Sequence, residues 1–217
     1  MPIENKNTWN KHWINNKTSF FGKTLSFVRY NIIANEVSHT LDNYFNSEGI
    51  FVDAGSGTSQ TSMKISKKNR KLIALDISQP ILNYAKKQNI PIDFFINADI
   101  FKLPFKNSSI EGIWNLGVME HFSLEEINQI LDEFYRVLKK NGIFIAFWPA
   151  KYGPVNIIFS SLGFLLRKNF FPNEPSLLKS KRWLNNIIKK KNNFKLIKFK
   201  WGIRNALIYH TIILKKK

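Results

Sequence analysis

Apolar and polar positions along this chain follow two different periods, and the change from one to the other marks out its elements. From about Gly49 onward, short apolar runs at residues 50–53, 71–76, 92–96, 110–115 and 143–148 read as five buried strands. Helical stretches separate them. Residues 58–68 follow the first strand, and Ser78 opens the next helix as its N-cap candidate, with Pro80 in the first turn. The most legible helix starts at Ser123, where Glu126 three residues on completes a capping-box pattern. Its residues Ile127, Ile130, Leu131, Phe134, Val137 and Leu138 keep the three-and-four spacing of one buried face, and Asn141-Gly142 ends it. Residues 194–201 and 206–214 read as two final strands joined by a turn at 202–205. Ahead of all this, residues 9–45 read as helical and crowd Trp9, Trp13, Phe20, Phe21, Phe27 and Tyr30 into a short span. Strands alternating with helices predict an α/β fold around a parallel sheet.

A chain of 217 residues with 44% hydrophobic and 14% aromatic content holds enough apolar side chains for one well-buried domain. No repeat or Gly/Ser linker divides it. The expected division is a helical N-terminal cap over residues 1–48 and an α/β domain over residues 49–217, with residues 151–190 as a lid inserted before the last two strands. The absence of cysteine excludes disulfides, thiolate zinc sites, iron–sulfur clusters and a Cys nucleophile, and no metal site is expected. Met1 leads into polar Pro-Ile-Glu-Asn-Lys with no apolar signal core, and no apolar run approaches the ~20 residues of a membrane span. The expected location is cytoplasmic.

Candidate chemistry gathers where the predicted strands end. The first strand runs into Asp53-Ala54-Gly55-Ser56-Gly57-Thr58-Ser59, and Gly55 and Gly57 remove the β-carbons that would keep a ligand from the backbone. Asp76 closes the second strand, a position suited to accepting hydrogen bonds from the two hydroxyls of a ribose. Asp99 follows the third strand, where it can reach an adenine amine while Ile100 packs on the ring. Asn115 ends the fourth and leads into Leu116-Gly117-Val118-Met119-Glu120-His121. A solvated strand end explains any one of these residues. Four consecutive strands ending this way place a ligand at the carboxyl edge of the sheet.

At these residues the chain resembles the class I S-adenosylmethionine-dependent methyltransferases, especially their small-molecule group, over about residues 49–149. Asp53, Gly55 and Gly57 match the family's acidic residue followed by x-Gly-x-Gly-x-Gly, with Ser59 standing where the third glycine would be. The resemblance implies that Asp76 with Ile77 holds the cofactor ribose, that Asp99 with Ile100 holds the adenine, and that Asn115 opens the family's fourth motif. Leu138-Lys139-Lys140-Asn141-Gly142 matches the usual run into the fifth strand. The implied fold is a doubly wound, seven-stranded, mostly parallel sheet with the last strand antiparallel, plus the helical N-terminal segment and the lid. The implied cofactor is S-adenosylmethionine, and the implied reaction is in-line methyl displacement, for which the protein supplies proximity, alignment and removal of water. Where the acceptor must lose a proton, His121 is the candidate base, its ordinary pKa lying near neutrality. Glu120 is the alternative base or a group that positions the acceptor. A His opening a helix also serves simply by bonding to backbone. Trp13 or Phe20 is a candidate cation–π contact for the sulfonium, and ordinary helix packing explains the same aromatics equally well.

Charge adds an expectation on the acceptor side. The net charge is +18, and residues 151–217 alone hold 16 basic side chains against one acid, Glu174. An AT-biased genome enriches Lys, Asn and Ile without any function, yet it does not strip acids from one third of a chain. Residues 155–166 are apolar apart from Asn156, Ser160, Ser161 and Gly163. They read as a lid over the acceptor, an interfacial helix, or a buried structural helix. Together these features favour an amphiphilic or lipid-linked small acceptor, with peripheral contact at an anionic membrane. An RNA or other nucleic-acid methyltransferase is the alternative that the charge invites. Against it, the fourth motif lacks an Asn/Asp-Pro-Pro-aromatic signature, and the covalent route to carbon-5 of cytosine needs a Cys. A non-catalytic binding protein of the same fold would have no need of Asp53, Gly55, Gly57, Asp76 and Asp99. A nicotinamide dehydrogenase would leave Asp99 and Glu120-His121 unexplained.

Overall fold

Period-two alternation sends Phe51, Leu72, Trp114, Ile145 and Ile213 to one face of a single sheet. Their sequence neighbours Val52, Ile73, Ile113, Phe144 and Ile212 go to the other. Each face therefore needs a cover, and each has one. The computed structural model describes residues 29–151, 175–189, 193–201 and 209–217. In it, β1 (Glu48–Ala54), β2 (Asn69–Asp76), β3 (Phe94–Asn97), β4 (Ile110–Leu116), β5 (Leu138–Pro149), β6 (Phe194–Trp201) and β7 (Tyr209–Lys216) form one seven-stranded sheet. A π-helical turn at Arg29–Ile33 leads into α1 (Ala34–Tyr44), and together they cover the first face with Ile33, Val37 and Leu41. The second face is covered by α3 (Leu124–Val137) and α4 (Lys181–Lys189), through Ile130, Phe134, Leu184 and Ile188 among others. The short α2 (Gln79–Ala85) joins β2 to β3.

The strand order is β3-β2-β1-β4-β5-β7-β6, parallel throughout except for β7, which runs antiparallel to both neighbours. The expected doubly wound sheet with an antiparallel last strand is what the chain forms. Winding reverses between β1 and β4, and open α/β sheets bind their ligands in the crevice at such a reversal. Among the described residues no helix is long and apolar enough to cross a membrane.

Local signals held where local chemistry decides. Ser123 Oγ accepts the Glu126 N–H at 3.3 Å, and Glu126 Oε2 accepts the Ser123 N–H at 2.8 Å, so the capping box is complete. Ser78 is the N-cap of α2 with Pro80 in the first turn, although its side chain makes no capping bond. Two expectations gave way to tertiary structure. The helix expected over residues 58–68 is only a 3₁₀ turn at Gln60–Ser62, because Ser59 sits in the left-handed region at φ +53°. The helix expected to end at Asn141-Gly142 stops at Val137, because Leu138 is already paired with Ile110 of β4. Pairing then jumps to Gly112 and Ile143, leaving Asn141 (φ +66°) and Gly142 inside an irregularity of β5. The aromatic run at Trp9, Trp13, Phe20, Phe21 and Phe27 lies outside the described residues, as do the apolar stretch 155–166 and the turn at 202–205.

One buried cation ties the sheet to its first cover. Arg70 on β2 is 1% exposed and donates to the carbonyls of Phe45 (3.0 Å), Asn46 (2.7 Å) and Ser66 (3.1 Å) and to Asp42 Oδ1 (2.8 Å). It holds the end of α1 and the lead into β1 against β2. Arg70→Met would keep the aliphatic volume, orphan three carbonyls and leave Asp42 with Lys68 alone, so the expected loss is about 3 kcal/mol. Urea unfolding of the two proteins measures it, and a loss below about 1 kcal/mol would assign the clamp to packing alone.

Candidate cofactor and acceptor site

The site is assembled from the turns that leave β1, β2, β3 and β4. Asp76, at the end of β2, is buried, and both of its oxygens are engaged. Oδ2 accepts the N–H of Gly57 at 2.8 Å, and Oδ1 accepts the N–H of Ser78 at 2.8 Å. The carboxylate thus staples the Gly-rich turn to the exit of β2. Burial raises its pKa, and the backbone donors of Ser78, Gly57 and Ile77 oppose that rise. A carboxylate has about four acceptor positions, so each oxygen keeps one for a ligand hydroxyl.

Asp53 lies one strand over, 3% exposed, with Ser62 Oγ donating to its Oδ2 at 2.8 Å. Burial, the largest cause, pushes its carboxyl up to about 7, with the Asp76 charge adding to the rise and the Ser62 hydrogen bond opposing it. The intervening turn uses positive φ at Gly55 (+81°), Gly57 (+52°) and Ser59 (+53°). A β-carbon on Gly55 would lie 2.7 Å from Val118 Cγ2. The clearance that sequence reasoning reserved for a ligand is therefore used by the turn leaving β4, which packs directly on the Gly-rich turn.

Asp99 is exposed and accepts the Phe101 N–H at 3.0 Å, while Ile100 beside it is buried and Ile77 half-buried. Sequence reasoning missed the role of Asn97, whose Nδ2 donates to the carbonyls of Asp76 (3.0 Å) and Ile77 (2.8 Å). A polar residue closing an apolar strand was its one signal. Past β4, Gly117 (φ +67°) donates to the Phe147 carbonyl at 3.1 Å, and Met119–His121 forms a 3₁₀ turn. Glu120 is buried, and its Oε1 lies 3.9 Å from Nε2 of the partly exposed His121. Its backbone carbonyl accepts the N–H of Ser176 at 3.1 Å. Asp53, Gly55, Gly57, Asp76, Ile77, Asp99, Ile100, Asn115, Glu120 and His121 are thus all carried on the turns and strand ends of one sheet edge.

The edge is also short of hydrogen bonds. Asn115 is 1% exposed, and neither its Oδ1 nor its Nδ2 has a partner. Ser56 Oγ, Ser59 Oγ and Gln60 Oε1, on the Gly-rich turn, are buried without one as well. Unsatisfied buried polar atoms are rare in native proteins and mark places where something else supplies the bond. A ligand carrying a ribose, an amine, an ammonium and a carboxylate fits this set of donors and acceptors.

The wider comparisons agree with this geometry. Residues 52–146 match the model of a family described as a methyltransferase domain. A ubiquinone/menaquinone biosynthesis C-methyltransferase of Rickettsia prowazekii is 34% identical over 111 residues, covering 43% of this chain and 42% of that protein. A biotin biosynthesis bifunctional protein of Cellvibrio japonicus is 32% identical over 91 residues, covering 42% of this chain and 18% of that protein. The chain thus spans less than half the length of these curated relatives. Magnesium protoporphyrin IX methyltransferase from Synechocystis PCC 6803, solved with S-adenosylhomocysteine bound, superposes with a TM-score of 0.69 at 16% identity over 98% of each chain. The chain thus carries a methyltransferase-domain match over residues 52–146, on a fold that it shares with solved S-adenosylmethionine-dependent methyltransferases.

Two stability effects follow from the edge. In the unfolded chain Asp53 loses its proton near 3.8, and in the fold near 7. Between these values the folded state binds more protons, so stability falls as pH rises from about 4 to 7 and then levels. Asp53→Asn removes that slope and is expected to add on the order of 3 kcal/mol at pH 8, read from urea midpoints across the range. A slope that survives the substitution would locate the effect elsewhere. Asn115→Leu replaces an orphaned amide by an apolar side chain and is expected to stabilise the ligand-free protein by about 1–3 kcal/mol, by calorimetric unfolding. Destabilisation would mean that the amide is satisfied within the protein.

Proposed function

We propose that the protein transfers the methyl group of S-adenosylmethionine to a small-molecule acceptor held between the Asn115–Phe122 turn and the end of β5. The observation that carries this reading is the row of buried, unpartnered polar atoms on Ser56, Ser59, Gln60 and Asn115, beside Asp76 at the winding reversal. Bound there, the cofactor supplies an electrophilic methyl group on a sulfonium. Asp76 takes the ribose hydroxyls on its remaining acceptor positions, with Ile77 against the sugar. The Gly55–Gly57 turn and Asp53 face the methionine end. Asp99 receives the adenine amine, and Ile100 packs beneath the ring. Asn115 divides its amide between cofactor and acceptor.

His121 accepts the acceptor's proton, and Glu120, close to the ring, steadies the imidazolium that forms or takes the base role itself. Both sit on a turn fixed at Gly117 and Ser176, so the base is held in place before the acceptor arrives. The relatives include C-methyltransferases of ubiquinone/menaquinone biosynthesis and malonyl-[acyl-carrier protein] O-methyltransferases. Their names fit an acceptor that is amphiphilic or carried on a larger group, as the basic tail does.

Calorimetry with S-adenosylmethionine and radiolabelled methyl transfer into fractionated lysate test the reading. Label is expected in the lipid or small-metabolite fraction, and label confined to nucleic acid would replace the acceptor class. Asp76→Ala is expected to weaken cofactor binding by about 1.5–3 kcal/mol, with unchanged affinity removing the ribose role. His121→Ala is expected to lower turnover while cofactor affinity holds. Full activity of that variant across a wide pH range would exclude His121 as the base.

A further inference from the structure

Residues 176–182 are threaded along the same sheet edge. Ser176 bonds to the Glu120 carbonyl, and the Trp148 indole N–H donates to the Ser176 carbonyl at 2.8 Å. Two residues on, Leu178 donates to the Pro149 carbonyl and the Lys151 N–H donates to the Leu178 carbonyl, each at 2.9 Å, closing a parallel bridge between Ala150 and Leu178. Lys151 and Lys179 each follow a bridged residue, and Lys181 and Arg182 open α4. All four are exposed.

The placement of Lys181 and Arg182 runs against fold stability. The first turn of α4 contains no acid, so Lys181 and Arg182 stand uncompensated at the positive end of the helix. Among the described residues no carboxylate pairs with Lys179, Lys181 or Arg182, whereas Lys67, Lys68, Arg70, Arg136, Lys139 and Lys200 each meet one. Lys179 lies instead over the Trp183 ring at 6.0 Å, and Trp183 packs edge-on against Trp148 at 5.7 Å. The patch is therefore anchored to the ladder that holds Glu120. Two cations flanking a fixed bridge, with two more opening the helix that follows three residues later, repel one another in the free protein and attract an anion.

We propose that Lys151, Lys179, Lys181 and Arg182 form an anion subsite of the acceptor site and take a phosphate group carried by the methyl acceptor. The assignment rests on the reading that the acceptor lies at Glu120 and His121. The phosphate belongs either to a soluble phosphorylated molecule or to a lipid headgroup.

The test uses the full chain and the paired substitution Lys181→Glu with Arg182→Glu. Its control is Lys195→Glu with Lys198→Glu, an equal charge change at exposed positions of β6. Inorganic pyrophosphate is titrated by calorimetry, and phosphatidylglycerol and phosphatidylcholine vesicles are compared by co-sedimentation. The α4 pair is expected to weaken at least one phosphate interaction by about tenfold, and the control pair by less than about threefold. An effect on pyrophosphate indicates a soluble source, and an effect on phosphatidylglycerol vesicles alone indicates a headgroup. Equal losses in the two pairs, or no saturable binding of either probe by the parent chain, would overturn the subsite. S-adenosylmethionine is titrated into the same proteins. Its affinity is expected to be unchanged, and a parent chain that fails to bind it would sink the methyltransferase reading whatever the anion result.

Discussion

The carboxylate of Asp76 makes one object out of a sheet edge and a Gly-rich turn. A parallel sheet gives no hydrogen bonds to the segments that leave the carboxyl ends of its strands, so side chains must tie those segments down. Asp76 does this in two directions, to Gly57 after β1 and to Ser78 at the start of α2. With Gly57 fixed, the chain passes through Ser59 in the left-handed region and brings Ser62 onto Asp53. On the other side, Asn97 and Ala98 bond to the carbonyl of Asp76, which aligns the end of β3. Burial works against ionisation of this group, and the backbone donors work for it. The shape of the site depends on that balance.

Much of the fold was legible because its determinants are local. Strand ends were readable to within a few residues from apolar periodicity, and the Ser123–Glu126 box announced the start of α3. The polar strand ends Asp53, Asp76, Asp99 and Asn115 could be read from the same periodicity, since they mark where it stops. What could not be read depends on distant partners. Ser59 turns left-handed just past the Gly57–Asp76 bond, whose partners are nineteen residues apart in sequence, and a helical pattern over 58–68 was misleading. The early end of α3 is set by Leu138 pairing with Ile110 on another strand. Arg70 looks like a surface cation at the head of a strand and is among the most buried side chains, because it collects three carbonyls from two turns.

The basic tail divides into parts with different physics. Lys216 is buried, its ammonium donating to the Tyr135 and Leu138 carbonyls at 2.7 Å over the Tyr135 ring, and it closes the end of α3. Burial lowers its pKa, and the carbonyls at a helix end are a natural place for a cation. Lys200 pairs with the buried Glu36 of α1 at 2.9 Å. Lys195 and Lys198 are exposed on β6, the outermost strand, where charge discourages pairing with another chain. Fold and edge protection account for these four. They do not account for the cations that open α4.

Several departures from ordinary stability rules meet at the carboxyl edge of this sheet. Away from the carboxyl edge, α3 has a complete capping box, and Arg70, Arg136 and Lys200 meet carboxylates. At the edge stand a buried carboxyl held near neutrality, an amide without partners, a serine in the left-handed region and a helix that starts on cations. Each costs the folded chain on the order of 1 kcal/mol or more, and none improves its packing. A sequence kept only for stability would lose such features quickly, since common substitutions repair every one of them. That these four meet on one rim is what a site looks like when its groups are completed by ligands and not by the protein.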